Sequence, residues 1–128
     1  MSSHLYDQST DSLAWEELKA ISAEANESYA RVSERISSFE DRVQALHIAK
    51  LEASVPIAPG RAVAYIRGSD KHGTGLYIAT PSHSTTTYIY WSTASYEDRR
   101  NIVAVLPNLL QALLARARLL RQSFQLEP

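Results

Sequence analysis

The residues best placed for chemistry lie in one polar turn, residues 68–75, which holds three of the chain's four glycines. The spacing of these glycines partly matches that of a phosphate-binding loop, but Thr74 stands where that loop has its lysine. A strand is expected after the turn, whereas a phosphate-binding loop leads into a helix whose N-terminal amides hold the anion. We therefore interpret the segment as a glycine-rich hairpin turn.

Asp70, Lys71 and His72 in this turn are the best candidates for general acid–base chemistry. An enzyme would need further groups in a fixed geometry around them, and the sequence holds no G-x-S-x-G nucleophile motif. It also holds no cysteine, which excludes disulfides, thiolate metal ligands and cysteine nucleophiles. We expect a protein that is not an enzyme, with no catalytic residue and no cofactor. An enzyme built on this turn is the least favoured alternative.

The remaining candidate ligands do not cluster. His4, His47 and His83 show neither the i, i+4 spacing of a helical zinc site nor any close grouping. Adjacent acids such as Glu97 and Asp98 point about 100° apart on a helix, so they do not converge on one substrate. We therefore expect no metal site.

The C-terminal half of the chain is basic. Residues 1–60 contain five Lys/Arg and ten Asp/Glu, whereas residues 61–128 contain eight and four. Complementary halves attract one another within a chain or between subunits, and this is the interpretation that we prefer. A basic helix can instead bind phosphates, so a nucleic-acid-binding regulator is the alternative function. Its candidate contacts are Arg99, Arg100, Arg116, Arg118 and Arg121.

An aromatic surface is the second candidate for nucleic-acid contact. Tyr88 and Tyr90 share one face of a predicted strand, with Tyr65 and Tyr77 nearby in the predicted sheet. Exposed rings on a sheet can stack on bases or hold a partner's side chains. Aromatic residues at this density more often pack across strands, and that is the interpretation that we prefer.

The clearest pattern in the chain is a heptad repeat in a long N-terminal helix, predicted for residues 11–53. This stretch has no Gly or Pro and is rich in helix-forming residues. Asp11 or Ser12 can cap its start, and an extended linker with Pro56 and Pro59 follows it. Apolar residues recur at spacings of three and four, which is typical of a helix that packs against another helix. The a and d positions are Trp15, Leu18, Ser22, Ala25, Tyr29, Val32, Ile36, Phe39, Val43, Leu46 and Lys50.

The length of this helix favours a partner. About 40 helical residues span about 60 Å, whereas a compact domain of this size has a diameter of roughly 36 Å. Either the helix breaks, near residues 26–28 or at Ser37 and Ser38, or its apolar positions meet another chain. The alternative is that the tail helices of the same chain cover them. We predict a homodimer through the uninterrupted apolar block Tyr29, Val32, Ile36, Phe39, Val43 and Leu46.

A β-meander and a helical tail complete the predicted fold, which is α+β. The meander covers residues 61–91 as three antiparallel strands, because short turns join segments rich in β-branched and aromatic residues. The tail covers residues 95–124, with Ser95 as a cap and two helices separated at Pro107. The three strands are predicted at residues 61–67, 76–80 and 85–91.

Length and composition indicate how many domains the chain has and where the protein is located. The chain has 128 residues, of which 45% are hydrophobic and 21% charged, as in one globular domain. Residues 1–10 are polar and aperiodic and are predicted to be a flexible arm, with residues 11–128 as a single domain. No apolar run approaches 18 residues and the first residues do not look like a leader, so we expect a cytoplasmic protein without membrane contact.

The favoured function is a small interaction protein (adaptor, regulator, inhibitor or assembly subunit) whose partners are a second copy and another protein.

Overall fold

The computed structural model describes residues 8–68 and 72–125. The chain divides into two compact units, Met1–Arg31 and Val32–Pro128. The described part of the first unit is helix, and the second unit holds the rest of that helix, the sheet and the C-terminal helix. In chain order the elements are helix α1 (Gln8–Gln44), strands β1 (Ala53–Ala58), β2 (Arg61–Ile66), β3 (Gly75–Pro81) and β4 (Thr86–Tyr90), a 3₁₀ turn (Trp91–Thr93) and helix α2 (Tyr96–Gln125).

The second unit is built on one antiparallel sheet of four strands in the order β1-β2-β3-β4. The α+β class is confirmed, but the prediction of three strands is wrong because the expected linker pairs with β2. Pro56 is tolerated because β1 is an edge strand, where a missing N–H can face away from the sheet. Pro59 and Gly60 join β1 to β2, and Gly60 has the positive φ of 73° that such a tight turn requires.

The hydrophobic core lies between the helices and one face of the sheet. Val63 and Tyr65 of β2 point to this face and pair with Ile78 and Leu76 of β3, and all four are at most 5% exposed. Their burial, with that of the facing helix residues, is the main stabilising contribution to the second unit. From the helices, the core includes Ile36, Val43, Ile102, Leu106, Leu109, Leu113 and Leu120.

Helix α2 is continuous through Pro107, so the predicted separation into two helices is wrong. A proline inside a helix removes one intrahelical hydrogen bond and costs about 3 kcal/mol. Leu106 and Leu109, on either side of it, are buried, and burial of each such side chain contributes about 1.5–3 kcal/mol relative to exposure. Packing of both turns in the core therefore outweighs the local penalty.

Helix α1 begins three residues before and ends nine residues before the predicted bounds. The predicted arm is therefore partly helical, and residues 1–7 lie outside the described residues. After α1 the chain turns sharply through His47, which has a left-handed φ of 53° although it is not glycine. Leu51 follows this turn and is 3% exposed, so its burial favours the early end of the helix. Leu46 lies beyond the helix and no longer occupies a heptad position.

Candidate functional site

The heptad residues that belong to the second unit are largely covered by that unit. Ile36 and Val43 are 0% and 6% exposed and form part of its core. Val32 and Phe39 are partly buried against the same core, while Leu46 is exposed. A side chain covered by its own chain has little surface left for a second chain. Four of the six predicted interface residues are therefore brought together, but they pack in the core of their own unit. They are Val32, Ile36, Phe39 and Val43.

The first unit carries exposed apolar side chains on its helix. Leu13, Trp15, Leu18, Ile21 and Tyr29 are between 42% and 70% exposed. Trp15, Leu18 and Tyr29 occupy predicted a and d positions, so they share one side of the helix. Soluble proteins rarely expose contiguous large apolar side chains, and such patches mark interaction sites. We call this surface, formed by Trp15, Leu18 and Tyr29, the open heptad face.

Most charges between residues 12 and 31 of the first unit lie away from the open heptad face. Within residues 12–31, all four acidic side chains stand at the outer b, c and f positions of the repeat. Two exposed ion pairs form there, Glu16–Lys19 at 3.4 Å and Glu27–Arg31 at 3.6 Å, and pairs of this kind contribute little stability. The positions that flank the face hold Ala14, Lys19, Ile21, Asn26 and Ser28, of which Lys19 alone is charged.

The sheet of the second unit has a face opposite the helices with a concavity of about 760 Å³. This volume lies within the range of small-molecule pockets. Small side chains of β2 and β3, Ala62, Ala64 and Ala79, form its floor, and Tyr88 and His72 stand beside them. The residues that line it come from strands and their connections rather than from α1 or α2. We call this surface the helix-free sheet face.

Three of the four tyrosines weighed as a platform lie on the same side of β3 and β4, but only Tyr88 lines the concavity, and the Tyr90 hydroxyl reaches Glu40 of α1. The Tyr77 ring contacts Tyr88 and Tyr90 edge-on, with centroids 6.3 and 5.2 Å apart. His72 from the glycine-rich turn lies edge-on to Tyr77 and Tyr88, at 5.4 and 5.6 Å. Tyr65 points to the opposite face and is buried in the core. The rings therefore pack against one another and do not present flat stacking surfaces.

A buried carboxylate that the sequence analysis missed joins α1 to the end of the sheet. Glu40 is 5% exposed and accepts hydrogen bonds from the Leu76 N–H at 2.8 Å and the Tyr90 hydroxyl at 2.6 Å. Burial of Tyr90, together with its hydrogen bond to Glu40, raises the pKa of Tyr90 to about 12. A Cβ at Gly75 would collide with this carboxylate, so glycine is required there for close approach. Glu40 completes the sheet where β4 ends and is a structural group.

The five arginines considered as candidate anion contacts form two groups near opposite ends of α2, about 24 Å apart along the helix. Arg99 is partly buried, and its Nη1 donates a hydrogen bond to the Ser33 Oγ at 3.0 Å. The Arg100 guanidinium lies 5.8 Å from the centre of the Tyr96 ring. Of the other three, the first points about 160° away from the second, whereas the second and third are three residues apart and share one side of α2. These three exposed residues are Arg116, Arg118 and Arg121.

The alternative acid–base site is not assembled in the part of the chain that the structure describes. Asp70 and Lys71 lie outside the described residues, as does His4, and the His72 ring packs against tyrosines. Within residues 8–68 and 72–125, no group of three His, Asp or Glu side chains is placed to hold a metal ion.

Helix α2 also has the length and apolar composition of a membrane span over Tyr96–Ser123. The core helices of soluble proteins meet the same criterion. In this chain Ile102, Leu109 and Leu113 of α2 are at most 3% exposed within the second unit. The expectation of a cytoplasmic protein without membrane contact stays a prediction.

Comparisons with protein-family models, with curated proteins and with solved structures found no match for the chain. Its function is therefore inferred from its own surfaces. The open heptad face of the first unit and the sheet of the second unit are the two surfaces that bear on it.

Proposed function

We propose that the protein is a small non-enzymatic interaction protein that self-associates through the helix of its first unit. The observation that carries this proposal is the exposure of Trp15, Leu18 and Tyr29, which are 59%, 54% and 42% exposed. Covering apolar surface is favourable by about 25 cal/mol per Å². A heptad face is best covered by a second helix with the same repeat, since its side chains then interlock as knobs in holes.

A second copy of the same helix is the partner that fits this face. The e and g positions beside a coiled-coil seam select partners through their charges. Between residues 14 and 28 those positions carry one charge, Lys19, so over this stretch a second copy brings no acidic side chain against another. The four acids at outer positions stay in solvent. Ser22 and Ala25 dilute the apolar contact, so we expect a dimer of moderate affinity.

A role as adaptor, regulator, inhibitor or assembly subunit follows from this arrangement. A dimer through α1 places two copies of the helix-free sheet face in one particle, and paired surfaces bind partners more strongly than single ones.

The alternative, a nucleic-acid-binding regulator, has less support from the described residues. Its arginines lie in two groups at opposite ends of α2, and its tyrosines pack edge-on against one another. It still predicts retention on a polyanion column that weakens steeply with salt. Elution with the void volume at low salt would exclude it.

The experiment is a solution mass measured by light scattering on variants of the first unit. The double variant Trp15→Glu/Leu18→Glu places charges on the open heptad face and should convert a dimer to a monomer at low protein concentration. Leu13→Glu is the matched control, because Leu13 is 70% exposed at an outer position and should leave the dimer intact. If the double variant keeps the wild-type mass, or if Leu13→Glu dissociates equally, self-association through this face is rejected.

A further inference from the structure

The two edges of the sheet in the second unit are built differently. β1 carries Pro56 and a register shift between Pro56 and Ala58, and α2 packs against it. Prolines, bulges and covering helices are the devices that keep an edge from pairing with another strand. β4, at the other edge, has no proline, no charged residue and no register shift. Its residues, Thr86–Tyr90, are all β-branched or aromatic, the types that favour strand pairing.

The main-chain groups of β4 alternate between β3 and the open edge. The Ser82 N–H donates to the Thr85 carbonyl at 2.8 Å, so odd-numbered residues of β4 face β3. The Tyr90 carbonyl accepts a hydrogen bond from the Thr93 hydroxyl at 2.8 Å, which agrees with an outward direction for even-numbered residues. The residues whose N–H and C=O groups face outward are therefore Thr86, Tyr88 and Tyr90.

Tyr88 stands in the middle of β4, and its N–H and C=O groups face the open edge. Within the described parts of the chain, no strand pairs with β4 on the side away from β3. Ile89 beside it is 42% exposed although it is in register with Ile78, which is 1% exposed. A strand laid along β4 would satisfy the outward main-chain groups and cover Ile89.

We propose that β4 pairs antiparallel with β4 of a second copy, so that two sheets join edge to edge. The pairing is centred on Tyr88, whose N–H donates to the Tyr88 carbonyl of the second copy and whose carbonyl accepts in return. Thr86 then pairs with Tyr90 of the other chain. A two-fold interface requires a self-complementary surface, and the outward-facing residues are placed symmetrically about Tyr88.

Charge favours a second copy over a foreign strand at this edge. Residues 82–96 contain no Asp, Glu, Lys or Arg. Two copies of β4 therefore bring no like charges together, and a charged partner finds no complementary group there. The surface selects for an uncharged, β-branched strand, which β4 itself supplies.

The size of the contact sets its strength. A strand of five residues is about 17 Å long, and pairing two such edges buries less than the roughly 1,200 Å² of a stable interface. The contact alone is therefore weak and depends on concentration. Together with the helix contact it gives each chain two different self-interfaces, which extend into an open assembly of more than two chains. This consequence rests on the proposed function, whereas the strand pairing itself does not.

The test uses the Trp15→Glu/Leu18→Glu chain, in which the helix contact is removed. Sedimentation equilibrium should show an average mass that rises with protein concentration. Adding Tyr88→Pro removes the central outward N–H without breaking a bond to β3, and should weaken association by at least about tenfold. Tyr88→Ala is the matched control, because it removes the same ring, keeps the N–H and should retain association.

Ile89→Lys keeps the proposal falsifiable if the proline variant does not fold. It places a charge on the edge, where lysine opposes strand addition, and should also weaken association by at least about tenfold, whereas Ile89→Thr should weaken it less. A double variant that keeps the mass of one chain at every concentration overturns the pairing. Proline and alanine variants that associate equally also overturn the pairing. A Tyr88 amide whose hydrogen exchange is slow only when another protein is added overturns it as well. If the helix contact does not exist, Trp15→Glu/Leu18→Glu has the same mass as the wild-type chain. This result distinguishes failure of the helix contact from failure of the strand pairing.

Discussion

Ile36 and Trp15 occupy the same kind of position in one heptad repeat, yet Ile36 is 0% exposed and Trp15 is 59% exposed. The difference arises outside the helix, because the second unit contributes a sheet and α2 that cover Ile36. The described part of the first unit contributes helix alone. A heptad repeat therefore predicts that a helix face will be covered, but it does not specify whether the same chain or another one covers it.

The largest expected effect is the difference in stability loss between two variants, each with one heptad residue of one unit replaced by alanine. Ile36→Ala should lower the free energy of unfolding by about 2–5 kcal/mol, because it leaves a cavity in the core. Leu18→Ala should change it by less than about 0.5 kcal/mol at a protein concentration where the chain is monomeric. Urea unfolding followed by circular dichroism measures both. Equal losses would mean that Leu18 is covered within its own chain, and the contrast between the units would disappear.

A smaller loss of stability is expected when Glu40, which connects α1 to the end of the sheet, is replaced. Glu40→Gln should lower the free energy of unfolding by about 1–3 kcal/mol, because an amide cannot accept from both the Leu76 N–H and the Tyr90 hydroxyl with full strength. Glu34→Gln, on the exposed side of the same helix, is the control and should have little effect. Similar unfolding midpoints for the two variants would show that Glu40 is not an anchor of the second unit.

The smallest expected loss of stability depends on pH and comes from the ion pair between Arg61 and Asp98 at the start of α2. The Asp98 carboxylate accepts a hydrogen bond of 2.7 Å from Arg61, and this bond holds the pKa of Asp98 below its usual range. The stability that the pair contributes is therefore present above the unfolded pKa of about 3.9 and is lost as pH falls through the lower folded pKa. Both side chains are partly exposed, so Asp98→Asn should lower stability at neutral pH by about 1 kcal/mol or less.

The pH profile of Asp98→Asn provides its own check. The difference in unfolding free energy between wild type and variant should shrink as the pH falls through the lowered pKa of Asp98 in the folded protein, because the carboxylate is then protonated. Glu97→Gln, at an exposed neighbouring position, is the control. A difference that does not change between neutral and acid pH would show that the ion pair is not its origin.

Local sequence was sufficient to predict most of the sheet. β2, β3 and β4 lie within one residue of the predicted bounds, since β-branched and aromatic runs between short turns are a local signal. β1 was missed because Pro56 and Pro59 favour a linker, and its pairing energy comes from β2. The continuity of α2 was missed for the same kind of reason, because burial of Leu106 and Leu109 overrides the local effect of proline.

The candidate surfaces were predictable in part. Alternation along β4 correctly placed Tyr88 and Tyr90 on one face, but Tyr65 needed the register between β2 and β3 to be placed. Glu40 stands beside the apolar stripe of α1 and gave no signal of its own. The distinction between covered and open heptad positions depends on where the sheet and α2 pack, and no local pattern in α1 contains that information.

The most direct test of self-association through the first unit is the solution mass of the wild-type chain measured beside that of Trp15→Glu/Leu18→Glu. We predict a wild-type mass of at least twice the 14.3 kDa chain at high concentration, and the mass of one chain for the double variant at low concentration. The unfolding of the second unit should be the same in both. A wild-type mass of one chain at every concentration would contradict the account, because the open heptad face would then have no second copy to cover it.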